Sequence, residues 1–364
     1  MSDLDARPWK RTRLSTADFA DPQSGPSASS STSSSNLRRH PEIWYDDGNL
    51  VLVAGQFAFR IYRGLIAGQS TVFSDLFASS TSSLDETFEE CPVIHLFDSP
   101  QDLVHLLRIL LPQSRIHYHT PIESPTRTFD ELFAVIRLAH KYNIPQVLEQ
   151  ALASLRESGF TTSFAAYSRL PSNPESALDP RCDPGQHNIG VVNVARLIDA
   201  PSLLPVALYH CTYLGSELFD GWTRDDGTIE HLSDADLRLC VDARAVLVHA
   251  HTVLLFSVFD GTVSAGCAKR TRCAAGLRDA QRVFVHAEAL AQGYQPLRYS
   301  WAEAVLMLEE RKKVCGSCAR EMLERAKNGQ KEIFDKLPKI FGITVEGWGA
   351  DETEVAMVAG EEPE

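Results

Sequence analysis

The feature that most constrains this fold is a change of apolar period across one proline-rich break. Residues 170–188 read "LPSNPESALDPRCDPGQHN", with four prolines and a glycine among polar side chains, a composition that ends helices and strands alike. Before the break, strand-like patterns come first and a run of helix-like patterns follows. After it, "VVNVARLIDAPSLLPVALYHC", "DADLRLCVDARAVLVHAHTVLLFSVF", "GLRDAQRVFVHAEALA" and "SWAEAVLMLEERKKV" all repeat their apolar residues at helical spacing. The expectation is an α+β first domain over residues 41–158, a linker or long loop over 159–188, and an all-helical second domain over 189–345.

Two tails flank these domains. Residues 1–40 include "SASSSTSSSN", which has almost no apolar side chain to offset the entropy of ordering, so a disordered arm is expected. Its "PWKRTRL" is a short basic cluster that a nuclear import receptor could read, and a solvated flank explains it equally well. Residues 346–364 carry seven acidic residues and no Lys or Arg, which accounts for seven of the thirteen net negative charges. An acidic disordered tail is expected there, and its removal should leave stability unchanged. The remaining chain is mildly acidic, and its cations form only short clusters such as Lys269, Arg270 and Arg272, so no nucleic-acid partner is expected.

No N-terminal run has the order of a secretory signal, so an intracellular protein, nuclear or cytoplasmic, is expected. The longest apolar stretch, "AVLVHAHTVLLFSVF" at 245–259, is shorter than the ~20 residues of a membrane span and contains two histidines. It reads as a buried helix, with no membrane partner.

Within 41–158, "NLVLVAGQFAFRIYR" is a hairpin signal: two β-rich runs joined by a glycine-containing turn. "STVFSDLF" follows as a helix with Ser70 as N-cap, "PVIHLFD" as a strand, and "SPQDLVHLLRILL" as a helix with a serine cap, proline at its first position and Asp102 in its first turn. "FDELFAVIRLAHKYNIPQVLEQALASLRE" gives two helices divided between Asn143 and Pro145.

Together, "DDGNLVLVAGQFAFRIYRGLIAGQSTVFSDLF", "PVIHLFDSPQDLVHLLRILL" and "LFAVIRLAHKYNIPQVLEQAL" resemble a BTB/POZ domain over residues 43–157. The resemblance implies a protein-interaction fold that pairs with itself or with other proteins. One departure is Tyr62, which stands where many BTB domains have His before the Arg. "ARLIDAPSLLPVALYHC" and "FDKLPKIFGI" are similar to the C-terminal half of the BTB proteins of mushroom-type fungi, which names a family without a mechanism. Some BTB adaptors contact a cullin scaffold through an apolar-x-Glu triplet. Leu84-Asp85-Glu86 stands at a similar place, against the simpler reading of a solvated acidic loop.

The chemistry-bearing residues lie late in the chain. "GTVSAGCA" at 261–268 has glycine spacing like a phosphate loop but places Cys267-Ala268 where Lys-Ser/Thr is required, and no HExxH, GxSxG or strand-linked GxGxxG is present. His286 and Glu288 followed by Cys315 and Cys318 reproduce part of the H-x-E…P-C-x-x-C pattern of zinc deaminases. Val314 replaces the proline, however, and the run before Cys315 is helical where a deaminase needs a strand. A redox C-x-x-C would likewise follow a strand.

What remains is a structural metal site or core thiols. Cys267 and Cys273 form a C-x5-C pair, 41 residues before the C-x2-C pair Cys315 and Cys318, and four thiolates complete a tetrahedral zinc shell. Basic neighbours Lys269, Arg270, Arg272, Lys312 and Lys313 favour thiolates. The sequence-based expectation is a non-enzymatic scaffold or adaptor of BTB type with one structural zinc, self-associating or bound to a protein such as a cullin. The deaminase reading is its rival, and a helix or a strand before Cys315 discriminates between them.

Overall fold

The computed structural model describes residues 37–80, 86–111, 128–169, 185–286 and 295–350. The chain is mixed α+β. The first half holds a five-stranded sheet: β1 Arg38–Trp44, β2 Leu50–Ala54, β3 Phe57–Ile61, β4 Thr87–Phe88 and β5 Cys91–Leu96, in the sheet order β1-β3-β2-β5-β4. The hairpin read from "NLVLVAGQFAFRIYR" is β2 against β3, antiparallel from Leu50 opposite Ile61 to Ala54 opposite Phe57, with Gly55 at φ 55° in its turn. Every residue of β2 is buried, because β3 and β5 flank it in the sheet and helices cover it. The ends of the sheet order meet: Arg39 of β1 makes a two-pronged ion pair with Glu89 after β4, and Trp44 stands edge-on to Phe88.

Helices α1 Arg63–Ala67 and α2 Thr71–Ser80 lie between β3 and β4, and α3 Pro100–Leu110, α4 Phe129–Lys141 and α5 Pro145–Glu157 follow β5. Of the two expected serine caps, that of Ser70 is made and that of Ser99 is not: no side-chain bond caps α3, and the Ser99 hydroxyl donates to Gln101 Oε1 at 3.2 Å instead. Ser70 Oγ accepts the Phe73 amide at 3.0 Å and donates to the Tyr142 carbonyl, and Thr128 accepts the Glu131 amide. Asn143 at φ 50° separates α4 from α5. Tyr62, the departure noted above, donates to Asp47 at 2.5 Å.

The stretch expected to be a linker begins with a further helix, α6 Phe164–Arg169, because Phe164 and Tyr167 are apolar enough to be buried against Phe334. Residues 170–184 lie outside the described residues. The helices α7 His187–Leu197, α8 Leu204–Cys211, α9 Asp234–Val258, α10 Arg270–His286, α11 Trp301–Glu310 and α12 Gly316–Ile340 form the second half. The all-helical expectation needs one addition: a small hairpin, β6 Trp222–Thr223 with β7 Ile229–Glu230, lies between α8 and α9.

That hairpin joins the two halves. Trp222 inserts its ring between Phe129 and Phe133 of α4, at 5.3 and 5.2 Å, and a Cβ on Gly190 of α7 would lie 2.5 Å from the same ring. Arg224 beside it is buried against Asp102 of α3. Buried apolar residues run without a break from β2 to α12, and residues from Arg38 onward form one contact unit.

Helix α9 departs from the expectation of a buried helix. It is long and apolar enough to cross a membrane by length and composition alone. In the fold one face, with Cys240, Leu247, His251 and Leu255, is buried, while Val241, Val246, Val253 and Phe256 on the other are exposed. The acidic tail begins later than expected, since Trp348 is stacked on Phe334 at 4.9 Å. The expected arm overlaps β1 at Arg38, and its residues 1–36, with 351–364 of the tail, lie outside the described residues.

Candidate metal centre

Three segments converge at one end of the helical half. After α9 the chain turns at Asp260, whose carboxylate accepts the amide and hydroxyl of Thr262. Arg325 of α12 holds this turn by donating to Asp260 at 2.9 Å and to the Thr262 carbonyl at 3.2 Å. A tight turn then joins the Cys267 amide to the Ser264 carbonyl. Cys273 follows in the first turn of α10, its amide bonded to the Lys269 carbonyl. From the other side, Cys315 is the extended N-cap residue of α12, and Cys318 lies in its first turn. A Cβ on Gly276 would lie 2.4 Å from the Lys313 carbonyl oxygen, so only glycine lets the 311–314 loop pack this closely on α10.

The four sulfurs of Cys267, Cys273, Cys315 and Cys318 lie within 4.8 Å of one another. Cys315 and Cys267 are 3.7 Å apart. Four sulfurs at about 2.3 Å from a zinc ion stand about 3.8 Å from each other, so the cluster has the size of a tetrahedral thiolate shell. It is far too open for disulfides, whose S–S length is about 2.05 Å, and all four cysteines are free. Cys267, Cys273 and Cys318 are buried, while Cys315 is partly exposed.

Backbone amides are aimed at these sulfurs. The Cys318 amide donates to Cys315, the Cys315 amide to Cys273, and the Ser264 amide to Cys318. Hydrogen bonding to the charged form favours the thiolate, and the Cys318 amide chiefly lowers the Cys315 thiol to about 7. Burial works the other way on Cys273, which is raised, and on Cys318, which is pushed up to about 12. Thiolates packed this closely in a buried site repel one another, and a divalent cation removes that conflict. The donor set fits zinc: four soft sulfur ligands, no carboxylate, and amide donors supporting the charge. A four-thiolate shell is closed and has no vacant position for water or substrate.

The structure therefore brings together all four cysteines expected to bind metal. Cys315 follows a helix, α11, and opens a helix, α12, with no strand between. His286 is the last residue of α10, and Glu288 lies outside the described residues. Of the Leu84 triplet, Leu84 and Asp85 also lie outside them, whereas Glu86 is exposed and pairs with His95 at 2.9 Å. The amide donors of Ser264, Cys315 and Cys318 carry no sequence signal, because any residue supplies an amide. Gly276 could have been suspected from its place inside a helix. No family model, curated protein or solved structure matches this chain.

Proposed function

We propose that the chain is a non-enzymatic interaction module in which a BTB/POZ-type first half is fixed to a zinc-stapled helical second half. The observation that carries the reading is the sheet order β1-β3-β2-β5-β4, with two short helices inserted before β4 and three longer ones after β5. It suits the quoted likeness of residues 43–157 to that family. The zinc is structural in this reading because its four sulfurs leave it no open position. A deaminase centre would need His286 as a ligand and an open site, and Cys315 and Cys318 are grouped instead with Cys267 and Cys273.

The partner surface includes Phe97, which is fully exposed at the end of β5. An isolated exposed apolar residue is ordinary, but a fully solvated phenylalanine is a ready anchor for a partner pocket. Self-association and capture of a protein such as a cullin are the two modes proposed, with Glu86 as a contact in the second. The test is sedimentation of the full chain, together with quantitative capture of partners by wild type and by Phe97→Asp. Self-association or a partner lost on substitution supports the module. A monomer whose captured proteins are identical for both baits overturns it.

A further inference from the structure

We infer that the rim of the four-sulfur centre is a docking surface for the phosphate backbone of a duplex nucleic acid, an activity beyond the interaction-module reading. The fold gathers basic segments that are distant in sequence. Lys269, Arg270 and Arg272 surround the Cys267 and Cys273 ligands, and Arg311, Lys312 and Lys313 precede Cys315. The two segments touch, since the Lys313 carbonyl lies against Gly276 and the Lys313 ammonium is 3.6 Å from Asp279. Lys312 sits at φ 54°, in the left-handed region, within the turn that leads into Val314.

Lys269, Arg270, Arg272, Arg311 and Lys312 are all exposed. Among the described residues none of the five makes an ion pair, although Arg39, Arg108, Arg137, Arg196 and Arg224 elsewhere each have a carboxylate. The simplest account of such cations is that they balance the thiolates. It falls short by charge. Residues 264–282 and 309–320 together hold nine Lys or Arg against three Asp or Glu, a surplus of six in a chain of net charge −13. A zinc ion with four thiolates carries about two negative charges, so a surplus of about four remains. If the sulfurs were neutral thiols the surplus would be larger, so the inference does not depend on the metal.

The surplus faces solvent, where a polyanion releases counterions on binding. Residues 260–282 and 309–333 contain no Phe, Tyr or Trp. Single strands are held by aromatic stacking as well as charge, so a rim of cations without rings suits the regular phosphates of a duplex. Net charge alone points away from nucleic acid, but it averages over a surface whose cations are concentrated here.

The test uses the full chain, a labelled 20-base-pair DNA duplex and fluorescence anisotropy between 50 and 200 mM salt. Binding should weaken with log salt at about 0.9 per phosphate neutralised, giving a slope between about −3 and −5 for this rim. Lys269→Glu with Arg270→Glu and Lys312→Glu should weaken binding at least tenfold at low salt while zinc content and circular dichroism stay unchanged. Should the triple variant fail to fold, Lys312→Gln alone should lower the slope by about one. No binding at 50 mM salt, undiminished binding by the folded variants, or tighter rim-dependent binding to single-stranded RNA or to phosphatidylserine vesicles than to the duplex would each overturn the inference. Loss of zinc with retained duplex binding would count against the metal reading alone.

Discussion

Arg224 places Nη2 2.5 Å from Oδ1 of Asp102, a residue 122 positions earlier in the other half of the chain, and both side chains are buried. Asp102 also takes Arg137 from α4 on its second oxygen. The Arg224 guanidinium lies 4.7 Å over the Phe133 ring and is 3.6 Å from both Asp130 and Asp226. Burying charges costs desolvation energy that is recovered only if each finds partners. Here each half supplies what the other needs.

Arg224→Ala should therefore destabilise the whole chain rather than one end. Removing one member of a buried ion pair costs about 3–5 kcal/mol, because the remaining charge stays buried without it. Arg137 still holds Asp102, so the low end, about 3 kcal/mol, is expected. A double-mutant cycle with Asp102→Ala should give a coupling above about 1 kcal/mol. The same contacts predict that residues 41–158 alone, lacking Trp222 and Arg224, are less stable than residues 38–350. Urea denaturation checks both, and a midpoint unchanged by Arg224→Ala would show that the joint contributes nothing.

Metal removal should act on the helical half. Elemental analysis of purified protein should find about one zinc per chain, and chelation should lower the melting temperature, since binding to the folded site alone is stabilising. Cys318→Ser should lose the metal because its sulfur is buried and has no substitute nearby, whereas Cys91→Ala, in the sheet, should keep it. Helical signal should fall first around α10 to α12. A metal-free preparation with unchanged stability in Cys318→Ser would make the four sulfurs core thiols.

Much of this arrangement was legible because it is local. The turn at Gly55, the Ser70 cap, and the break at Asn143 and Pro145 each follow from residues within one turn of the feature. The C-x2-C spacing belongs to the same class, since Cys315 and Cys318 lie on one helical turn. The joint between the halves was not legible. Asp102 reads as an acid stabilising the start of α3, and nothing near it in sequence says that its partner is Arg224. Nor could apolar spacing show that the outer face of α9 stays exposed, because apolar residues repeat on both of its faces, chiefly leucines on the buried one and valines on the exposed one.

The C-terminal boundary gives a third prediction. Pro338 lies inside the last turn of α12 and has no amide hydrogen, so the Phe334 carbonyl four residues earlier loses its helical donor. Trp348 supplies one: its indole N–H donates to the Phe334 oxygen at 3.0 Å while its ring stacks on the Phe334 ring. The Gly349 amide adds a bond to the Thr162 carbonyl. A chain ending at 350 should melt like the full chain, and one ending at 345 should lose about 2 kcal/mol, part of the cost of truncating a large aromatic residue plus one hydrogen bond. Trp348→Ala should reproduce most of that loss. Equal melting of all three would contradict the role assigned to Trp348.

Acid sensitivity is the fourth prediction, and it rests on His251. This side chain is fully buried on the inner face of α9, with Tyr299 and Trp301 at ring-centroid distances of 5.4 and 6.1 Å. Neither ring nitrogen has a hydrogen-bond partner among the described residues. Burial without a compensating charge pushes its pKa from 6.5 down to about 4. The unfolded chain then takes up the proton first as pH falls, so stability is fully present above about 6.5, declines between about 6.5 and 4, and levels off below. A shift of this size corresponds to about 3 kcal/mol at the acid end. Burial also lowers His40 and His105, which slope the same way, so the comparison has to be with a variant. His251→Phe keeps a ring in the aromatic cage and removes the proton. Its stability relative to wild type should rise steadily from pH 6.5 to pH 4.5, measured by urea midpoints at constant ionic strength. A difference between variant and wild type that stays constant across this window would mean that His251 keeps its proton equilibrium on folding, through water or a partner that relieves its burial.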